Sequence, residues 1–159
     1  MKILFYILTI LPIGLIKILF VAYCYTGLHK KSKAFKVTKK NLEIAYPELD
    51  GSQIMKLATS SIIETLLSGY ESFQSWSRPI HYSGKKIYRI ENNYLLSRNI
   101  INRQGLIVIA IHNRSVDMLL KFINSKTSTT TLYKKIKNKK LDSFVRSQRE
   151  DNESKTYET

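Results

Sequence analysis

The hydrophobic pattern of this chain changes character along its length. From Ile3 to Thr26 it is continuous: ILFYILTILPIGLIKILFVAYCYT carries one charge, Lys17, in 24 residues. About 20 apolar residues suffice to cross the hydrocarbon core of a bilayer, so the run predicts a membrane helix. Pro12 and Gly14 are tolerated within such a helix as a kink. A cleaved signal peptide would have a shorter apolar stretch and a small-residue cleavage site, whereas this run ends at Tyr23, Cys24 and Tyr25. Cys24 reads as a small apolar residue within the helix.

Beyond Thr26 the pattern becomes periodic. Phe35, Val37, Leu42, Ile44 and Ala45 fall at loose helical intervals in residues 34–45, and Pro47 with Asp50-Gly51 breaks the series. Between residues 52 and 76, Ile54, Leu57, Ala58, Ile62, Leu66, Phe73 and Trp76 recur every three or four positions, predicting an amphipathic helix that ends at Arg78-Pro79. KKIYRI (85–90) has strand character and 92–104 reads as a helix. LIVIAI (106–111) is an unbroken apolar run rich in β-branched residues, the best candidate for a buried central strand. Ser115 to Asn124 then reads as a helix, TTTLYK (129–134) as a strand and LDSFVRSQRE (141–150) as a basic helix. Strand, helix and strand with short connections predict a parallel βαβ unit. The expected class is α/β: an N-terminal membrane helix (1–27), a basic juxtamembrane segment (28–51) and an α/β domain (52–159).

Charge narrows the partners. The 26 Lys and Arg against 12 Asp and Glu give +14, which points to a polyanion, either nucleic acid or an anionic membrane surface. Lys2 alone precedes the apolar run, while Lys30, Lys31, Lys33, Lys36, Lys39 and Lys40 follow it. By the positive-inside rule the bulk of the chain is therefore expected on the cytoplasmic side of a membrane, behind a single N-terminal anchor. One cysteine excludes a disulfide scaffold, and no paired Cys or His spacing suggests a metal. No glycine-rich phosphate loop or nucleophile elbow occurs, so no cofactor is expected.

The chemistry concentrates after the predicted central strand. His112 follows LIVIAI directly, and Asp117 stands five positions on, in the first turn of the next helix. Ligands of open α/β sheets bind at the carboxyl ends of strands. A His paired with a carboxylate is a general base of fixed tautomer, able to take a hydroxyl proton. His29 and His81 have no such setting and read as surface residues.

HNRSVD after LIVIAI, with Asn41-Leu42 and Tyr46-Pro47-Glu48 behind a Pro-containing apolar segment, resembles the bacterial lipid A biosynthesis late acyltransferases of the lauroyl and myristoyl transferase type. The HxxxxD element is shared with the wider glycerolipid acyltransferase superfamily, so the NL and PE boxes carry the narrower likeness. The resemblance implies a glycerolipid-acyltransferase-like αβ sandwich, of which the chain spans about the N-terminal half and is truncated at its C-terminus. It also implies acyl transfer from an acyl carrier protein thioester to a hydroxyl of a lipid A precursor at the bacterial inner membrane, with His112 as base and Asp117 orienting it. Arg146, Arg149 and Arg114 would handle anionic groups of the substrates. Ile111, rather than Asn, precedes His112, which counts against glycerol 3-phosphate as acceptor. Two rival readings are a lysophospholipid acyltransferase and a non-catalytic basic fragment that binds anionic lipid or nucleic acid; nucleic acid is not the expected partner.

Overall fold

The computed structural model of the chain describes residues 9–102, 105–111, 114, 116–150 and 154–158. Helices dominate: α1 (Ile13–Tyr25), a 3₁₀ turn (Leu28–Lys31), α2 (Lys33–Ala45), α3 (Gly51–Ser77), α4 (His81–Lys86), α5 (Asn93–Ile101), α6 (Val116–Asn124) and α7 (Lys139–Arg149). Two short strands, β1 (Thr130–Tyr133) and β2 (Lys155–Glu158), pair in parallel, Thr130 opposite Lys155 and Tyr133 opposite Glu158. The described residues form two units, one running to Tyr70 and one beginning at Glu71.

Local chemistry explains the helix starts of the first unit. Ser32 accepts the Phe35 N–H at 3.1 Å and so caps α2. Asp50 and Gln53 make a reciprocal capping box at the head of α3: the Asp50 carboxylate accepts the Gln53 N–H at 2.8 Å, and the Gln53 side chain accepts the Asp50 N–H at 3.0 Å. Gly27 ends α1 in the left-handed region at φ 74°, a conformation that glycine adopts without a Cβ penalty.

The amphipathic stripe of α3 buries Ala58 and Ile62 against Phe35 and Cys24, and Leu67 and Tyr70 against Ile16. The Tyr70 hydroxyl donates to the Leu11 carbonyl, which fixes the entry to α1. Burial raises the pKa of the Cys24 thiol, keeping it protonated and inert.

The expected membrane helix and single N-terminal anchor are overturned. Among the described residues, no helix is long and apolar enough to cross a membrane. Pro12 is not a kink inside a long helix; it is the N-cap where α1 begins. The 13 residues of α1 rise roughly 20 Å at about 1.5 Å each, short of the roughly 30 Å hydrocarbon core. Part of its apolar surface, at Ile16 and Cys24, is spent on the protein's own core. Residues 1–8 of the predicted span lie outside the described residues.

The α/β class with an αβ sandwich is also overturned. LIVIAI does not enter a sheet: its backbone is irregular, and the sheet of the described residues holds only β1 and β2. Its side chains alternate as a strand's do, with Ile107 and Ile109 both 90% exposed and Leu106 and Val108 about half as much, but it has no ladder partner among the described residues. KKIYRI divides between the end of α4 and irregular backbone. A parallel βαβ unit does form further along, as β1, α7 and β2.

His29, expected at the surface, is 1% exposed. Its ring meets those of Tyr23 and Phe35 edge-on, and Nε2 lies 3.3 Å from the Thr59 hydroxyl. Its Nδ1 is buried with no partner among the described residues. Burial first, then the charge of Lys30, lowers its pKa below the usual value of about 6.5. The unfolded chain therefore binds this proton more readily than the folded one. The stability His29 contributes is present above pH ~6.5 and is lost as pH falls below that value toward the lowered folded pKa. Denaturant midpoints at pH 7.5 and pH 5.5 should show wild type weakening on acidification and His29→Phe weakening less; equal slopes would exclude this histidine as the cause.

Candidate active site

Asp117 lies in the first turn of α6, where a carboxylate meets the positive end of the helix dipole. It is 9% exposed and accepts three charged or polar donors. Arg149, from the last turn of α7, donates Nε at 3.1 Å and Nη2 at 2.7 Å to Oδ1. Ser72, on α3, donates its hydroxyl to Oδ2 at 2.8 Å. A carboxylate offers about four acceptor positions, so among the described residues one on Oδ2 is left over from these three bonds.

The surroundings hold this carboxylate still. Ser75 donates to the Asp117 carbonyl at 3.0 Å. Lys121, one helical turn further along α6, donates Nζ to the carbonyls of Ser75 and Arg78 at 2.7 and 2.5 Å, capping the C-terminal end of α3. Asn124 closes the other end of α6: its amide donates to the Arg149 carbonyl at 2.9 Å and accepts the Thr129 hydroxyl at 2.7 Å. The Arg149 guanidinium also sits 5.6 Å from the ring centroid of Tyr133, a cation–π distance.

The other two expected arginines also meet carboxylates. Arg114 pairs with the nearly buried Glu71, with contacts at 3.0 and 3.1 Å. Arg146 pairs with Glu150 at 2.8 Å and reaches the Thr156 carbonyl at 3.3 Å. The hydroxyl of Thr156, followed by Arg146, holds the Glu150 carboxyl below its ordinary pKa, and Glu150 in turn raises that of Arg146. Arg146 is therefore not gathered on Asp117 with Arg149. His112 lies outside the described residues, as do Asn113 and Ser115.

A cavity of about 910 Å³, within the size range of small-molecule sites, opens beside this cluster in sequence. Its walls are largely aliphatic, with Leu96, Ile100, Leu106, Val108, Leu120 and Ile123 among them, and a run of hydroxyls at Thr127–Thr131 edges it. The chain lines the cavity through Ala110 and returns to it at Val116, so His112 lies in the sequence interval between two lining positions.

Ser72 and Glu71 were not singled out from the sequence. A signal was present: Glu71, Gln74 and Ser75 are polar positions at helical spacing, and all three are buried on one face of α3.

The comparison with known families now applies. The sequence pattern of the bacterial lipid A biosynthesis acyltransferase family matches residues 1–158. The chain belongs to that family, and so to the acyltransferases of lipid A assembly. No curated protein matches the chain.

Arg149→Ala removes both donors to Asp117 Oδ1 and leaves a mostly buried charge held by Ser72 alone. It is expected to destabilise the fold by about 2 kcal/mol in denaturant unfolding, the range for charge-assisted hydrogen bonds. Arg149→Lys, which cannot form the two-pronged contact, should recover less than half of that loss.

Proposed function

We propose that the chain transfers a fatty acyl group from an acyl carrier protein thioester to a hydroxyl of a lipid A precursor, with His112 as general base and Asp117 as its orienting carboxylate. The observation that carries the reading is the buried Asp117, held by Arg149 and Ser72 five residues after His112 and next in sequence to Val116 of the aliphatic cavity wall, in a member of this family. The free acceptor position on Oδ2 suits an imidazole N–H, and the resulting pair fixes the tautomer that leaves the other ring nitrogen basic.

His112 takes the proton as the acceptor hydroxyl oxygen forms its bond to the acyl carbonyl carbon. The carbon–sulfur bond then breaks, and the proton passes to the departing thiolate of the carrier. A thioester is already activated, so proximity and base catalysis supply the acceleration without a covalent enzyme intermediate. The aliphatic cavity takes the acyl chain. In this reading Arg149 acts through Asp117, holding it oriented, while Arg146 and Arg114 meet substrate phosphate only in exchange for Glu150 and Glu71.

His112→Ala should lower transfer from labelled acyl carrier protein by at least about 100-fold, with an unchanged thermal unfolding midpoint. Undiminished transfer would overturn the assignment. A bulky residue in the cavity wall, Leu120→Trp, should shift preference toward shorter acyl chains in a competition between donors; an unchanged profile would place the chain elsewhere.

A further inference from the structure

The connection from β1 to α7 and the first two residues of that helix, KKIKNKK at residues 134–140, set five lysines in seven positions. All five are exposed. Among the described residues only Lys135 meets a carboxylate, Glu158 at 3.2 Å, and that contact is more than half open to solvent.

The loop is nevertheless built rather than slack. Asp142 is buried and accepts the Ile136 N–H at 2.7 Å together with the Tyr133 hydroxyl, and Asn138 caps α7 by accepting the N–H groups of Lys140 and Leu141 at 3.1 Å. These bonds turn Ile136 partly inward and leave the lysines outside. The placement is electrostatically costly: Lys139 and Lys140 open α7 at the positive end of its dipole, and the five like charges repel one another. Folding alone gives no reason for it.

The loop follows directly on the strand whose Thr130, Thr131 and Leu132 line the aliphatic cavity. We propose that Lys134, Lys135, Lys137, Lys139 and Lys140 form the docking surface for the acidic protein that presents the acyl thioester. The inference rests on the carrier-dependent reading above.

Three features favour an acidic protein face over other polyanions. The cluster contains no arginine, the side chain suited to two-pronged phosphate contacts; ammonium groups instead steer a partner that must leave after each turnover. It exposes no aromatic ring for base stacking, since Tyr133 is buried. Its one large apolar side chain, Ile136, is turned partly inward, so it presents no apolar face to insert into a lipid interface.

The test replaces all five lysines by glutamine, with a five-arginine variant as charge control. Two readouts are taken: binding of holo acyl carrier protein labelled with a fluorophore, and kcat/KM with a carrier-borne donor against an uncharged acyl-pantetheine donor. Carrier binding and carrier-borne kcat/KM should fall by about tenfold or more in the glutamine variant, with the pantetheine donor within about twofold of wild type and the arginine variant close to wild type. The same wild-type parameters should fall as salt rises from about 0.01 M to about 1 M, as the Debye length contracts. The glutamine variant should unfold no earlier than wild type, because the loop's self-repulsion has been relieved. Wild-type carrier binding by the glutamine variant would overturn the proposal. So would loss of binding to anionic phospholipid vesicles or to an oligonucleotide while carrier binding stays intact. If neither donor turns over in wild type, the transferase reading fails, and the binding readout still decides the role of the loop.

Discussion

A carboxylate removed from water must be met by donors, and Asp117 makes that demand of three helices far apart in sequence. Ser72 answers from α3 and Arg149 from α7, while Asp117 itself anchors α6. Leaving such a charge unpaired costs several kcal/mol, far more than an exposed ion pair returns, so the three elements have little freedom to separate. The rest of α6 follows from the same placement. With Asp117 at its first turn, Lys121 comes round to close the end of α3 and Asn124 reaches both the end of α7 and the approach to β1. A nine-residue helix too short to be stable alone is thus tied at both ends and in the middle.

The same constraint redistributes the chemistry expected of the arginines. An Arg with Nε and Nη2 committed to a carboxylate has little left with which to grip a second anion, and Arg149 is in that position. Its contact with Oδ1 at 2.7 Å is spent inside the protein, on fixing Asp117 in place. Arg114 and Arg146 are held by Glu71 and Glu150 in similar fashion.

What the sequence made legible was local. Helices whose apolar spacing and caps lie within a few residues appear close to where periodicity put them: residues 52–76 against Gly51–Ser77, 141–150 against Lys139–Arg149, and the strand 129–134 against Thr130–Tyr133. What failed depended on partners. LIVIAI has the alternation of a strand, but a strand is defined by the chain beside it, which hydrophobicity does not encode. The apolar count of residues 3–26 could not register that Ile16 and Cys24 are buried within the protein or that the helix begins only after Pro12. His29 was misread for the same reason, since its burial comes from Tyr23, Phe35 and Thr59 folding around it. Asp117 was found through its position after an apolar run, whereas Ser72, which binds it, is an unremarkable helical serine until the fold brings it near.

The two kinds of positive charge are used differently, and the division follows from their hydration. Of the 26 basic residues only seven are arginine. Arg149, Arg114 and Arg146 occupy the partly buried pairs, where a planar, weakly hydrated guanidinium loses least on leaving water and matches a carboxylate's geometry. Ammonium groups are strongly hydrated, and the lysines of 134–140 stay outside, where their charge projects into solvent instead of being cancelled. The net charge of +14 is therefore no uniform coat. Within the second unit, Arg149 organises the surroundings of Asp117 while Arg114 and Arg146 meet carboxylates of their own, and the exposed lysines supply the field that an approaching anion meets.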